Sequence, residues 1–217
     1  MSMKKYKIFI LIFLLFYISR SQEDRFAKQE KELSRWGEMM LNGDTDSVRY
    51  EANYQFKNIL TDLLNIKKSY KYNFNQTAPL SILQPKNKKF KLFSWFMPQR
   101  NGEYTYYGII QTCNKRGKKC KLYYLETMEK LNRNNQNNKI PHTNWYGCLY
   151  YDIILIKIKN RRYYTLLGWD GNDNYTTKKI IDVLTLDRKQ KPVFGANIFN
   201  NNQNRIILEY SNKYSMS

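Results

Sequence analysis

An α+β fold, with an N-terminal helical hairpin followed by a mainly antiparallel β-sheet region arranged as a curved sheet or a sandwich, is what this 217-residue sequence predicts. Three observations carry that prediction. Apolar residues recur at helical spacing over residues 22–66, and from about Leu80 the period changes from near 3.6 to 2. The apolar runs beyond that point are joined by short, turn-rich connections, which favour antiparallel neighbours.

The chain opens with Lys4, Lys5 and Lys7, then the apolar run from Ile8 to Ile18, then Ser19 and Ser21 at the spacing of a small-x-small cleavage site. Residues 1–21 therefore read as a secretory signal peptide cut between Ser21 and Gln22. A membrane-spanning helix needs about 20 apolar residues, and this run reaches roughly half that before Arg20. The expected location is exported, periplasmic or secreted. The alternative is tethering to the membrane by an uncleaved N-terminal segment, with Arg20 beside the cut as its support. No later run is long enough to span a bilayer after cleavage, and no Cys sits where a lipoprotein would need one.

Cleavage leaves about 196 residues, enough for one domain with a real core. In the first helix Phe26, Leu33, Trp36 and Met40 share a face, and "NGDTDS" (42–47) supplies a Gly stop with Asp or Ser caps for a second. Val48, Ala52, Phe56, Ile59, Leu60 and Leu63 form the stripe of that second helix, completing a hairpin over 22–66. The β region, 80–217, is expected to form one domain with the helices. Its candidate strands are Lys89–Met97, Tyr104–Cys113, Lys121–Glu126, Trp145–Ile158, Arg162–Trp169, Thr176–Leu186, Pro192–Phe199 and Arg205–Ser211. In the last, Ile206, Leu208 and Tyr210 form the apolar face. "NRNNQNNK" (132–139) reads as a loop.

Formal charge is +19, with four of the positive residues in the first 21, and residues 23–62 carry nine acids against six bases. The excess lies later, in "KNKKFK" (86–91), "NKRGKKCK" (114–121), "KNRR" (159–162) and "DRKQK" (187–191). Each run sits at an expected turn, where a solvated hairpin tip is the natural home for Lys and Asn. Export and the lack of any zinc-finger, helix-turn-helix or ribonucleoprotein signature argue against nucleic acid as the partner. Attraction to anionic envelope surfaces fits the charge better.

Cys113 and Cys120 bracket a Gly-containing loop between two strands and can face one another as a disulfide, leaving Cys148 as a core residue. "DGNDN" (170–174) lies where a strand must reverse, and Gly and Asn tolerate positive φ there. As a calcium loop it fails on spacing: the sixth residue would be Tyr175 and the twelfth Ile181. No metal, cofactor or catalytic residue is assigned. Candidate ligand-binding residues are Trp145, Tyr146, Trp169, Asp170 and Asn172, on an aromatic-rich sheet that also holds Tyr150, Tyr151, Tyr163 and Tyr164.

"WYGCLYYDIILIK", "RYYTLLGWDGNDNYTTKKIIDVL", "KPVFGANIF" and "RIILEYSNKYSM", with "FKLFSWFMPQRNGEYTYYGIIQ" before them, resemble a family of exported proteins of unknown function from the Bacteroidetes group. The resemblance covers most of residues 90–216 and implies a Gram-negative envelope or secreted setting. It transfers no catalytic residue, because that family has no assigned activity. It also implies a shortened member, whose Arg205–Ser211 strand would lie at an open sheet edge and promote self-association. Two functions are weighed. The first is a non-enzymatic exported module that binds an envelope protein or glycan. The alternative is an envelope hydrolase of glycosidase type using two of Asp152, Asp170 and Asp182, which requires two carboxylates on one face about 5 to 10 Å apart.

Overall fold

The computed structural model describes residues 24–66, 68–75, 78–114, 119–128, 138–199 and 203–213. The expected signal peptide with its Ser21–Gln22 cut, and most of the Asn-rich segment, lie outside the described residues.

Two helices are followed by antiparallel sheets, an α+β architecture. Helix α1 covers 24–42 and helix α2 covers Asp46–Asn65. Phe26, Leu33 and Met40 of α1 are buried as their spacing predicts. The Gly43 amide bonds to the Met39 carbonyl at 2.9 Å and closes α1. The cap of α2 is Thr45, whose hydroxyl accepts from the Val48 amide at 3.3 Å, in place of the Asp or Ser expected there. Asp46 is thereby left to accept the Arg100 amide at 2.9 Å, pinning the helix start to a sheet turn. Val48 is exposed rather than part of the core stripe, and Leu64 is buried instead.

Sheet 1 has the order β1 (Ser81–Leu83), β2 (Phe90–Pro98), β3 (Tyr104–Cys113), β4 (Cys120–Leu125). Sheet 2 runs β5 (Ile140–Pro141), β9 (Pro192–Phe194), β8 (Thr176–Leu186), β7 (Arg161–Asp170), β6 (Leu149–Ile158), with β10 (Arg205–Ser211) also paired to β8. β9 and β10 share one edge of β8 end to end: β9 pairs with Leu184–Leu186 and β10 with Thr176–Asp182. Every named strand pairing is antiparallel.

Sheet 1 is the middle of three layers. One of its faces, with Phe93, Trp95 and Met97, packs on Phe56, Leu60 and Leu63 of α2 and on the buried stripe of α1. The other, with Phe90, Leu92, Tyr106 and Ile110, packs on Tyr150, Tyr164, Leu166 and Leu184 of sheet 2. This explains why β2 is almost continuously buried rather than half-buried. Each large apolar side chain so enclosed contributes about 1.5 to 3 kcal/mol. The inward Trp95 indole N–H donates to the Asn53 carbonyl oxygen of α2 at 2.9 Å, so the helix layer is fixed by a polar contact as well.

Three strand expectations change. The strand predicted from Trp145 begins at Leu149, because Gly147 at φ 86 breaks the extended run, and Trp145 makes only an isolated bridge to Thr127. The strand predicted through Phe199 stops at Phe194, where Gly195 adopts φ 76. On β10 the inward residues are Arg205 and Ile207, while Leu208, expected on the buried face, is 54% exposed. Arg205 is therefore interior and does not guard an edge.

Candidate functional site

The aromatic and acidic candidates meet inside the sandwich. Trp145, Tyr146, Asp170 and Asp182 are all buried. The Tyr146 hydroxyl donates to Asp170 Oδ2 at 3.3 Å, and the Tyr150 hydroxyl donates to Asp182 Oδ2 at 3.1 Å while accepting from the Trp145 indole N–H at 3.1 Å. Arg205 closes this network from β10: its Nε and Nη2 lie 3.0 and 2.9 Å from Asp182 Oδ2, both side chains are fully enclosed, and its guanidinium stands 5.3 Å over the Tyr146 ring. Burial lowers the arginine pKa, but the Asp182 charge and hydrogen bond together with the nearby Tyr150 and Cys148 groups outweigh it, and the net direction is upward. Burial next to Asp182 likewise pushes the Tyr150 phenol up, and burial with both carboxylates nearby raises the Cys148 thiol, so both stay protonated at neutral pH. The seat is tight, since a Cβ on Gly168 would come within 2.7 Å of Cys148 Sγ.

These contacts position a core. Asp170 and Asp182 have relative exposures of 1% and 0% and belong to the inward face. Asp152 is exposed, pairs with outward Leu167 across a bulge, and accepts the neighbouring Ile153 amide at 2.7 Å. The three carboxylates therefore do not share one face: Asp152 is on the opposite face, while Asp170 and Asp182 share the inward face with their backbone positions offset by four residues of paired strand, about 13 Å.

Asn172 answers for the "DGNDN" cluster. It adopts φ 53, its amide donates to Asp170 Oδ1 at 2.9 Å, and its side-chain amide donates to Thr176 Oγ1 at 2.7 Å. Asp173 Oδ1 accepts from the amides of Tyr175 and Thr176 at 2.8 and 2.9 Å. Side-chain oxygens thus complete the β7–β8 turn. No group of His, Cys, Asp and Glu among the described residues is arranged to hold a metal ion. Trp169 is half-buried, its ring 5.4 Å from Phe96 and 5.2 Å from Tyr104. His142 is half-buried against Tyr123, its pKa lowered by burial and then by Lys191.

A concave, chemically distinct surface lies elsewhere. The turns β1–β2, β6–β7 and β8–β9 fall at one end of the sandwich, beside the Cys113 and Cys120 ends of β3 and β4, and among the described residues they carry three of the basic runs. Two clefts open there. One, of about 530 Å³, is lined by Arg161, Arg162, Arg188, Lys139 and Lys89; the other, of about 510 Å³, by Lys71, Lys88, Lys91 and again Lys89. Asp187 is the single carboxylate among these lining residues, and it accepts the Lys189 and Lys191 amides at 2.7 and 2.8 Å within its own turn. No ion pair among the described residues engages the lysines and arginines that line the clefts.

Lys91 is the exception to their exposure. It is 6% exposed, donates from Nζ to the Tyr72 carbonyl at 2.6 Å, and lies 5.3 Å over the Phe74 ring. Burial lowers its pKa to about 8. The neighbouring Tyr70 phenol, pushed up to about 12 by burial, donates to the Lys88 carbonyl at 2.8 Å and stays neutral. Cys113 and Cys120, directly opposed in the β3–β4 ladder, are joined by a disulfide at this same end.

None of these cations was singled out by the sequence as a site. The available signal was positional: in an antiparallel meander alternate turns share an end, and the basic runs occupy every second turn. Comparison with known proteins finds no matching family model, no matching curated protein and no matching solved structure, so the geometry stands on its own.

Proposed function

We propose that the chain is an exported, envelope-associated module that binds an anionic ligand at the basic end of the sandwich and performs no chemistry on it. The carrying observation is the convergence of three basic runs (86–91, 159–162 and 187–191), separated by up to a hundred residues of sequence, on two adjoining clefts with one internally engaged carboxylate. Like charges brought together cost stability unless a counter-charge arrives, so such an arrangement favours an anionic partner. The hydrolase alternative has less support, because Asp170 and Asp182 are enclosed and Asp152 faces the other way. Export is supported by the basic, apolar and small-residue succession from Lys4 to Ser21 and by the Cys113–Cys120 disulfide, which suits an oxidising compartment. No helix among the described residues is long and apolar enough to cross a membrane.

Two measurements test this. Mass spectrometry of the natural protein is expected to find Gln22 at the mature amino terminus; an intact Met1 on cytoplasmic protein overturns export. Equilibrium binding of the mature chain to dextran sulfate is expected to weaken steeply with salt, as exposed ion contacts do. Absence of binding at low ionic strength overturns the anion-binding proposal.

A further inference from the structure

Resting on that reading, we infer that the ligand is an acidic polysaccharide chain that lies in both clefts at once, crossing from one to the other at Lys89. Lys89 lines both clefts, so the cationic surface is continuous rather than two isolated sites. Each cleft has the volume that suits a small ligand of one or two sugar rings, and filling both takes a chain of about four units or more.

The neutral groups between the cations select a glycan over other polyanions. Asn73, Gln84, Asn87 and Gln190 line the clefts, and an amide offers both donors and acceptors, which is what sugar hydroxyls require. Asn87 uses one N–H toward the Tyr164 hydroxyl at 3.1 Å and one acceptor site toward the Lys89 amide at 3.3 Å, keeping further capacity. A single-stranded nucleic acid would instead need open aromatic faces on which bases stack. Of the rings lining the clefts, Tyr164 is 2% exposed and edge-on to Phe90, and Tyr70 lies beneath the Lys91 ammonium at 5.9 Å, which leaves half-buried Tyr163 in place of the series of open rings that successive bases need. A flat lipid surface would meet the turn tips but could not enter a concave cleft.

The test measures dissociation constants of the mature chain at one fixed salt concentration for a heparin disaccharide, a heparin hexasaccharide and an oligogalacturonate hexasaccharide. A neutral dextran oligomer, a twelve-residue oligothymidylate and vesicles containing phosphatidylglycerol complete the set. At least one acidic hexasaccharide is expected to bind about tenfold or more tighter than the disaccharide, because linking two subsites raises effective concentration. Neutral dextran is expected to bind no better than the disaccharide. Arg161→Ala with Arg162→Ala, and separately Lys71→Ala with Lys88→Ala, alter exposed side chains in one cleft each. Each pair is expected to return the hexasaccharide to within about threefold of the disaccharide. Equal affinity for short and long glycans, or loss confined to one pair, overturns the two-cleft ligand. Tighter binding of the oligothymidylate or the vesicles overturns the glycan assignment while leaving anion binding in place. Failure of every anionic probe overturns the functional proposal beneath it.

Discussion

The two ends of the sandwich are built from the same element, the tight antiparallel turn, and finished with opposite chemistry. At one end the turns 99–103 and 171–175 and the start of α2 carry Asp46, Glu103 and Asp173, and the Asp46 and Asp173 side chains are engaged with backbone. Asp46 accepts the Arg100 amide, Asp173 closes its own turn, and the Asn174 side chain donates to the Asn101 carbonyl at 3.3 Å, tying the two turns together. At the other end the turns are held by a disulfide and by Asp187, while Lys88, Lys89, Arg161, Arg162 and Arg188 line open clefts. Charge that satisfies backbone holds the fold in place. Charge left without a partner at a concave surface is available to something outside the chain.

Arg205 tests that distinction most severely, since it is a cation used as the carboxylates are used. Arg205→Leu leaves Asp182 enclosed without its counter-charge and is expected to cost about 3 to 5 kcal/mol in urea unfolding. Asp182→Leu with Arg205→Leu is expected to recover much of that loss, because an apolar pair removes both desolvation costs. Equal losses in the single and double variants would show that packing, not charge, dominates there.

At the basic end the disulfide carries the load that carboxylates carry opposite. Replacing Cys113 and Cys120 by Ser opens a short loop and is expected to lower stability by about 2 to 3 kcal/mol. A matched thermal-unfolding comparison of the wild-type chain and the double variant measures it. A smaller effect comes from Asp173→Ala, which removes the acceptor for the Tyr175 and Thr176 amides and for the Asn172 side chain, and is expected to cost about 1 to 2 kcal/mol while leaving dextran sulfate affinity unchanged. Arg161→Ala is expected to show the reverse, weaker dextran sulfate binding with stability within about 0.5 kcal/mol of wild type. If both variants moved both quantities, the two ends would not be functionally distinct.

The gentlest probe is pH. Lys91 shares its cleft with Lys71, Lys88 and Lys89, its ammonium over the Tyr70 and Phe74 rings and bonded to the Tyr72 carbonyl, with no carboxylate among the residues lining that cleft. Its folded pKa of about 8 lies below the ordinary lysine value of 10.5, so between those values the unfolded chain retains a proton that the folded chain has released. Stability therefore gains from Lys91 as pH rises through that window, whereas anion affinity falls as the ammonium is lost. Lys91→Met is expected to remove both slopes, read as unfolding midpoints and dextran sulfate affinities at pH 7 and 9.

Much of the architecture was legible in the sequence. Alternation and turn residues located Tyr104–Cys113, Thr176–Leu186 and Arg205–Ser211 at their observed bounds, because a half-buried strand imposes a period of 2 on its side chains. Ser81–Leu83 and Ile140–Pro141 are too short to show a period. Ile206, Leu208 and Tyr210 outnumber the apolar residues opposite, so the local pattern points to the wrong face of β10. What turns the strand over is the pairing of Arg205 with Asp182, 23 residues away, which no local pattern contains. Trp145 and Tyr146 illustrate the same limit: an aromatic ring reads alike whether it fills a core or lines a groove. The basic clefts were legible only as separate runs, since their union depends on how two sheets stack.

The enclosure of Cys148 makes it a clock for opening. With Cys113 and Cys120 bonded, it is the remaining cysteine of the three, and its thiol lies wholly within the inter-sheet core. An alkylating reagent can reach it only when the two sheets part. The rate of its labelling under native conditions would time that separation in the unmodified chain, and ligand seated across both sheets at the basic end should slow it.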